Sequence, residues 1–256
     1  MIKVIAIGNS FSADAVEYLR EIAASGGIDM MVGNLYIGGC SLETHWKNAV
    51  SDLKAYEYYK FGETNEVFNE VSIKEALESE DWDYVTMQQA SYLSGIFNSY
   101  EPYLSNLSGY VKSLVPGAEQ IIHQTWAYEI DSTHEGFLNY ERDQIKMFSA
   151  LKDAYKQASE ALKARIIPCG EAMQKARSFS LFDYANGGKS LCRDGFHASI
   201  PQGRYLLGAV WYEVLTGKSI LENPYVPVDK ETRSPIPEDE LKVLKQCAHE
   251  AVMLYK

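Results

Sequence analysis

The chain has 256 residues, 46% of them hydrophobic and 23% charged, enough to bury well over half of its unfolded surface without disulfide or metal staples. Lys and Arg number 24 against 35 Asp and Glu, a formal net charge of −11, and no basic cluster occurs. That excludes the basic face a nucleic-acid binder needs and disfavours anionic membranes and polyanions as partners.

Residues 2–7 are a β-branched apolar run ending at Gly8, the pattern of a buried strand. A helix follows over 12–24, with Ala15, Val16, Leu19, Ile22 and Ala23 at helical spacing and a stop at Gly26-Gly27. A second strand spans 30–36, then a Gly38-Gly39 turn and a helix from about Ser41. Residues 55–61 and 66–71, joined by Gly62-Glu63-Thr64-Asn65, read as a peripheral hairpin, and 72–80 as a short helix. Strands are expected at 83–89, 118–125 and 165–168. Helices are expected at 103–114, 135–163, 170–177, 202–215 and 238–254. This alternation implies one α/β domain over 1–256, a three-layer α/β/α sandwich around a mainly parallel five-stranded sheet.

Cys40, Cys169, Cys192 and Cys247 lie far apart, with no zinc-ligand spacing, and read as reduced, buried thiols. No run of ~18 apolar residues is present to span a membrane. The first residues carry a single Lys and too short an apolar run for a signal peptide. As written the chain reads as cytoplasmic, and as secreted if a leader has been trimmed. Gly187-Gly188-Lys189-Ser190 resembles the end of a phosphate-binding loop, but position 183 is Asp where that loop needs Gly.

Open parallel sheets keep their chemistry at the carboxyl ends of strands. Here those ends carry Gly8-Asn9-Ser10, Gly38-Gly39-Cys40-Ser41, Gln88-Gln89-Ala90-Ser91 and Gln124-Thr125-Trp126. A Ser on the first turn has an exposed hydroxyl at a helix N-terminus, which suits a nucleophile; the competing role for Ser10 or Ser12 is helix capping. A Ser nucleophile needs an imidazole base oriented by a carboxylate. Arg193-Asp194-Gly195-Phe196-His197 carries both, with Asp194 and His197 three residues apart.

These blocks, in this order and at these sheet positions, resemble the SGNH (GDSL-type) hydrolase superfamily over residues 2–217. The longer segments around Ser10, Gly39, Gln88 and His197 resemble an uncharacterised bacterial branch of it related to carbohydrate esterases. The resemblance implies a flavodoxin-like fold and a serine esterase without metal or organic cofactor. Ser10 would be its nucleophile, His197 its base and Asp194 the supporting carboxylate. The backbone N–H groups of Ser10 and Gly39 would form an oxyanion hole. Two departures stand out. Asn9 replaces the Asp of Gly-Asp-Ser, and the third-block Asn is absent. Gln89, ahead of Gln88, is the expected replacement donor, because Ala90 aligns with the Gly of the Gln-Gly-Glu block of related carbohydrate esterases. Strand alternation turns the two glutamines to opposite faces, so only one should reach the site.

Asn9, Trp46 and Trp126, with Tyr128, are candidate substrate contacts at the pocket mouth, or else core packing. His45 reads as a solvated helix residue and Cys40 as a passive thiol. The expected substrate is a small-molecule or carbohydrate ester, with a short acyl group such as acetyl. The rival function is a catalytically idle carbohydrate-binding protein on the same scaffold. Oligomeric state is not readable from the residues.

Overall fold

The computed structural model describes residues 1–62, 64–229 and 232–256. At its centre lies β1 (Ile2–Gly8), buried from Val4 onward. A strand covered on both faces needs successive rather than alternate apolar residues, which Val4, Ile5, Ala6 and Ile7 supply. It pairs in parallel with β2 (Met30–Tyr36) on one side and β5 (Tyr84–Met87) on the other. Beyond β5 follow β6 (Glu119–His123) and β7 (Arg165–Ile167), both parallel.

These are the five expected core strands, but the sheet is wider. The hairpin strands β3 (Tyr56–Phe61) and β4 (Asn65–Val71) continue it, because β3 pairs antiparallel with β2. The full order is β4-β3-β2-β1-β5-β6-β7. Tyr56 and Tyr58 turn inward while Glu57 faces out, the alternation of a strand covered on one side. Of the expected hairpin turn, Glu63 lies outside the described residues.

Helices cover both faces. α3 (Leu42–Val50), α4 (Ile73–Glu78), α5 (Tyr103–Leu114) and α6 (Gln144–Leu162) form one layer. α1 (Ser10–Val16), α2 (Leu19–Ser25), α7 (Cys169–Ala176), α8 (Gln202–Thr216) and α9 (Glu238–Met253) form the other. α8 is buried on almost every side, between α1 and α2 on one flank and α7 and α9 on the other.

Two helices differ from expectation. The helix expected over 12–24 is two, because Tyr18 leaves the helical backbone at φ −107°, ψ 1°. It also begins earlier, at Ser10, because Asn9 is its cap. The helix expected over 135–163 begins only at Gln144. Residues Glu135–Tyr140 form a 3-10 turn, Glu141 and Arg142 take φ of 58° and 54°, and the Asp143 carboxylate caps α6.

The chain leaves β1 for β2 on one side and returns to β5 on the other. The crevice at the carboxyl end of β1 is therefore the switch point where sheets of this kind bind ligands. Among the described residues no helix is long and apolar enough to cross a membrane.

Candidate active site

Ser10 is the first residue of α1, directly at that crevice. Its neighbours carry the capping: Asn9 Oδ1 accepts the Phe11 N–H at 3.0 Å, and Ser12 Oγ accepts the Asn9 N–H at 3.1 Å. Ser12 is fully buried and also donates to Asn34 Oδ1 at 2.7 Å. The Ser10 hydroxyl is thus released from capping. Its Oγ lies 2.8 Å from His197 Nε2, and His197 Nδ1 lies 2.7 Å from Asp194 Oδ2. A carboxylate only accepts, so Nδ1 carries the proton and Nε2 is left to accept from Ser10. Asp194 Oδ1 meanwhile accepts the N–H groups of Phe196 (3.2 Å) and His197 (2.8 Å), which curls the loop so that the Asp194 carboxylate and the His197 ring face each other. Partial burial pushes the Asp194 carboxyl up. The hydrogen bonds from the His197 ring and the two N–H groups outweigh it and hold the group below the ordinary carboxylate value.

Three contacts fix the 193–198 loop against the rest of the molecule. Asp14, one turn after Ser10 on α1, accepts from Arg193 Nη1 at 2.9 and 3.0 Å and from the Ala198 N–H at 2.9 Å. The Glu129 N–H donates to Gly195 O at 2.7 Å, and Trp126 Nε1 donates to Phe196 O at 2.8 Å. Trp126 is fully buried and stacks on Phe11 at 4.1 Å, so it supports the loop from beneath instead of lining the mouth. Tyr128 is fully buried too, and Trp46 packs against the core.

Ser10 and His197 open into a cleft of about 290 Å³ that also exposes Gly39, Ser91, Tyr92 and His134. Gly39 takes φ +63°, a left-handed backbone that favours glycine. Among the described residues the N–H groups of Ser10 and Gly39 have no hydrogen-bond partner. Neither glutamine lines the cleft, and both side chains are engaged elsewhere. Gln89 is fully buried; its Nε2 donates to Ser99 O (2.9 Å) and Oγ (3.0 Å), and its Oε1 accepts from Leu42 and Ala90 N–H. Gln88 Nε2 donates to Asn9 Oδ1 at 2.8 Å, and its Oε1 meets His123 Nδ1 at 2.6 Å.

The Asn9 amide completes this chain by donating Nδ2 to Cys40 O at 3.0 Å, tying the β1 turn to the β2 turn. A carboxylate could not donate that bond, which accounts for Asn at this position. His45 is fully buried, not solvated, with Nδ1 2.8 Å from Tyr56 OH. Cys40 is buried, and burial pushes its thiol up to about 12. Among the described residues no cluster of His, Cys, Asp and Glu could hold a metal ion. Tyr92 and His134 carry no motif and are found only through the fold, while Ser91 ends the Gln88-Gln89-Ala90-Ser91 block without being singled out by it.

The family described as "Domain of unknown function (DUF4886)" matches residues 3–251. A DUF4886 family protein from Bacteroides uniformis is 40% identical, superimposes with a TM-score of 0.91, and covers 98% of this chain and 95% of its own. Axe2, an acetylxylan esterase from Geobacillus stearothermophilus, has 14% identity and a TM-score of 0.55, covering 84% of this chain and 94% of its own. A protein from Slackia heliotrinireducens, provisionally called an SGNH hydrolase, has 20% identity and a TM-score of 0.56 over 83% of this chain and 97% of its own. The fold is thus that of the SGNH hydrolases. No curated protein matches in sequence.

Proposed function

The chain belongs to the DUF4886 family, and from that premise we propose a serine ester hydrolase that removes a short acyl group from a neutral carbohydrate alcohol. The observation that carries this is the line from Asp194 Oδ2 through His197 to Ser10 Oγ, with contacts of 2.7 and 2.8 Å. As Ser10 Oγ attacks the ester carbonyl, its proton passes to His197 Nε2, and Asp194 stabilises the imidazolium. The carbonyl oxygen becomes an oxyanion held by the N–H groups of Ser10 and Gly39, each such donor being worth roughly 10²–10³ in rate. His197 then protonates the leaving alkoxide. Water, deprotonated by His197, attacks the acyl-enzyme and restores Ser10.

A third donor is available in place of the glutamines. The buried Tyr128 hydroxyl has Ser91 Oγ as its partner among the described residues, at 2.7 Å. Tyr128 therefore donates to Ser91, which leaves the Ser91 proton to point into the cleft.

The cleft volume of about 290 Å³ sits at the lower edge of the ~300–1,000 Å³ of pockets for drug-sized ligands, which favours an acyl group as small as acetyl. Among the described residues lining it there is no Lys or Arg, as suits an uncharged substrate. The similarity to an acetylxylan esterase supports a sugar as the alcohol. In this scheme residues 1–256 act as one catalytic domain. Ser10→Ala should abolish turnover of p-nitrophenyl acetate. Undiminished turnover by that variant would remove Ser10 from the mechanism, and a wild-type chain that turns over no ester would favour the idle binding protein.

A further inference from the structure

His134 lies on the loop after β6, and its Nδ1 accepts the Gly136 N–H at 3.0 Å. An imidazole that accepts at Nδ1 carries its proton on Nε2, so the backbone selects the tautomer. Burial and the nearby His197 lower the pKa of the ring, which keeps it neutral in that form. Nε2 has no hydrogen-bond partner among the described residues, and the side chain opens on the cleft. The ring packs against Tyr128 (4.9 Å between centroids) and Phe196 (4.8 Å), and Phe196 lies 4.2 Å from His197. His134 is therefore one ring further along the cleft wall than the general base.

The turn that carries His134 is pressed onto the neighbouring loop. A Cβ at Gly136 would fall 2.2 Å from Tyr92 Cβ, and Asn139 Nδ2 donates to Tyr92 O at 2.9 Å. The N–H donor is consequently held in position before any ligand arrives, which is what specificity requires. Phe196 and Tyr92 line the cleft alongside it and supply aromatic surface of the kind that suits the C–H groups of a sugar.

We propose that His134 is a specificity-determining residue for the alcohol side of the ester: its Nε2–H donates to a hydroxyl or ring oxygen of a sugar resting on Phe196 and Tyr92. This rests on the esterase reading of the same cleft. Simple aryl or alkyl alcohols offer no acceptor at that distance from the ester and gain nothing from the donor.

The test compares kcat/KM for a mono-O-acetylated methyl glycoside with that for phenyl acetate. In His134→Asn, which keeps the acceptor for Gly136 but is too short, the ratio should fall about three- to tenfold, the size of one neutral hydrogen bond. His134→Phe should behave alike, and His134→Gln, which returns an N–H near the Nε2 position, should restore the ratio. An unchanged ratio in the Asn and Phe variants overturns the assignment. A second arm titrates the same glycoside into the Ser10→Ala chain by calorimetry. Adding His134→Asn should weaken binding about three- to tenfold. Equal binding overturns the role of His134, even if the wild-type chain cleaves both esters. A wild-type chain that cleaves neither overturns the esterase reading, and the binding arm still decides His134.

Discussion

Replacing Asp14 by Asn should loosen the reacting groups as well as the fold. The Asp14 carboxylate is 1% exposed and receives Arg193 Nη1, the Ala198 N–H, and Arg204 Nε and Nη2, the last two both at 2.8 Å. Arg193 and Ala198 bracket Asp194 and His197, while Asp14 shares α1 with Ser10. This one carboxylate ties the helix bearing the proposed nucleophile to the loop bearing its base. Removing one side of a buried ion pair costs ~3–5 kcal/mol, because the other side is left charged and unpaired. The Arg193 and Arg204 side chains keep 33% and 16% of their exposure, so water rescreens them, Arg204 keeps the Glu17 carboxylate at 3.3 Å, and Asn retains one acceptor. The expected loss is therefore about 2–3 kcal/mol. Against a typical stability of ~5–15 kcal/mol the variant still folds. The assay is the guanidinium chloride midpoint at constant slope, together with kcat and KM on p-nitrophenyl acetate. We expect kcat to fall at least about tenfold with KM little changed, since a barrier rise of ~1.4 kcal/mol from a displaced imidazole suffices. A stability change under about 0.5 kcal/mol with wild-type kcat would refute the reasoning.

Ser91→Ala should lower kcat by about 10² with little change in KM if its hydroxyl helps hold the oxyanion; a wild-type kcat would return that donor to the bulk of the cleft. Stability should already fall between pH 6.5 and 5. Burial holds His45 and His123 at about 3, whereas the unfolded chain protonates them near ~6.5. The unfolded state then binds more protons in that window, so stability drops as pH falls, at up to about 1.4 kcal/mol per pH unit for each ring. Carboxylates titrate mainly below it, and a flat denaturation midpoint from pH 6.5 to 5 would contradict the burial of both rings. The four cysteines are all buried and free, so a disulfide-exchange reagent should label none in the native chain and four after unfolding.

Ser10, Asp194 and His197 stand out in the sequence as short local patterns, and it is the order of those blocks along the chain, resembling that of the SGNH hydrolases, that suggests their proposed roles. The parallel core strands are readable because strands covered on both faces write themselves as short, mostly apolar runs, β-branched in β1 and diluted by Gly33 and Asn34 in β2. The break at Tyr18 is not, since no Gly or Pro marks it. Gln88 and Gln89 show the limit more sharply. Alternation correctly turns them to opposite faces, yet what consumes their amides is Asn9, His123 and Ser99, which only the fold brings near. Asp14 reads as an ordinary helix residue, and its partner Arg193 is 179 positions away. His134 sits in a loop with no motif, Ser91 ends a block that points first to its glutamines, and Trp126 reads equally as cleft lining or as core until its burial is known. Motif residues are local facts; the groups that position them and line the cleft are brought together over long range.

The central claim is that Ser10 is a nucleophile activated by His197, and covalent labelling tests it most directly. A fluorophosphonate probe should add once to the wild-type chain, with the adduct mapping to the peptide that contains Ser10. Ser10→Ala should abolish the adduct and His197→Asn should slow it by orders of magnitude. An intact, folded wild-type chain that takes no label, or takes it on another residue, would contradict the account.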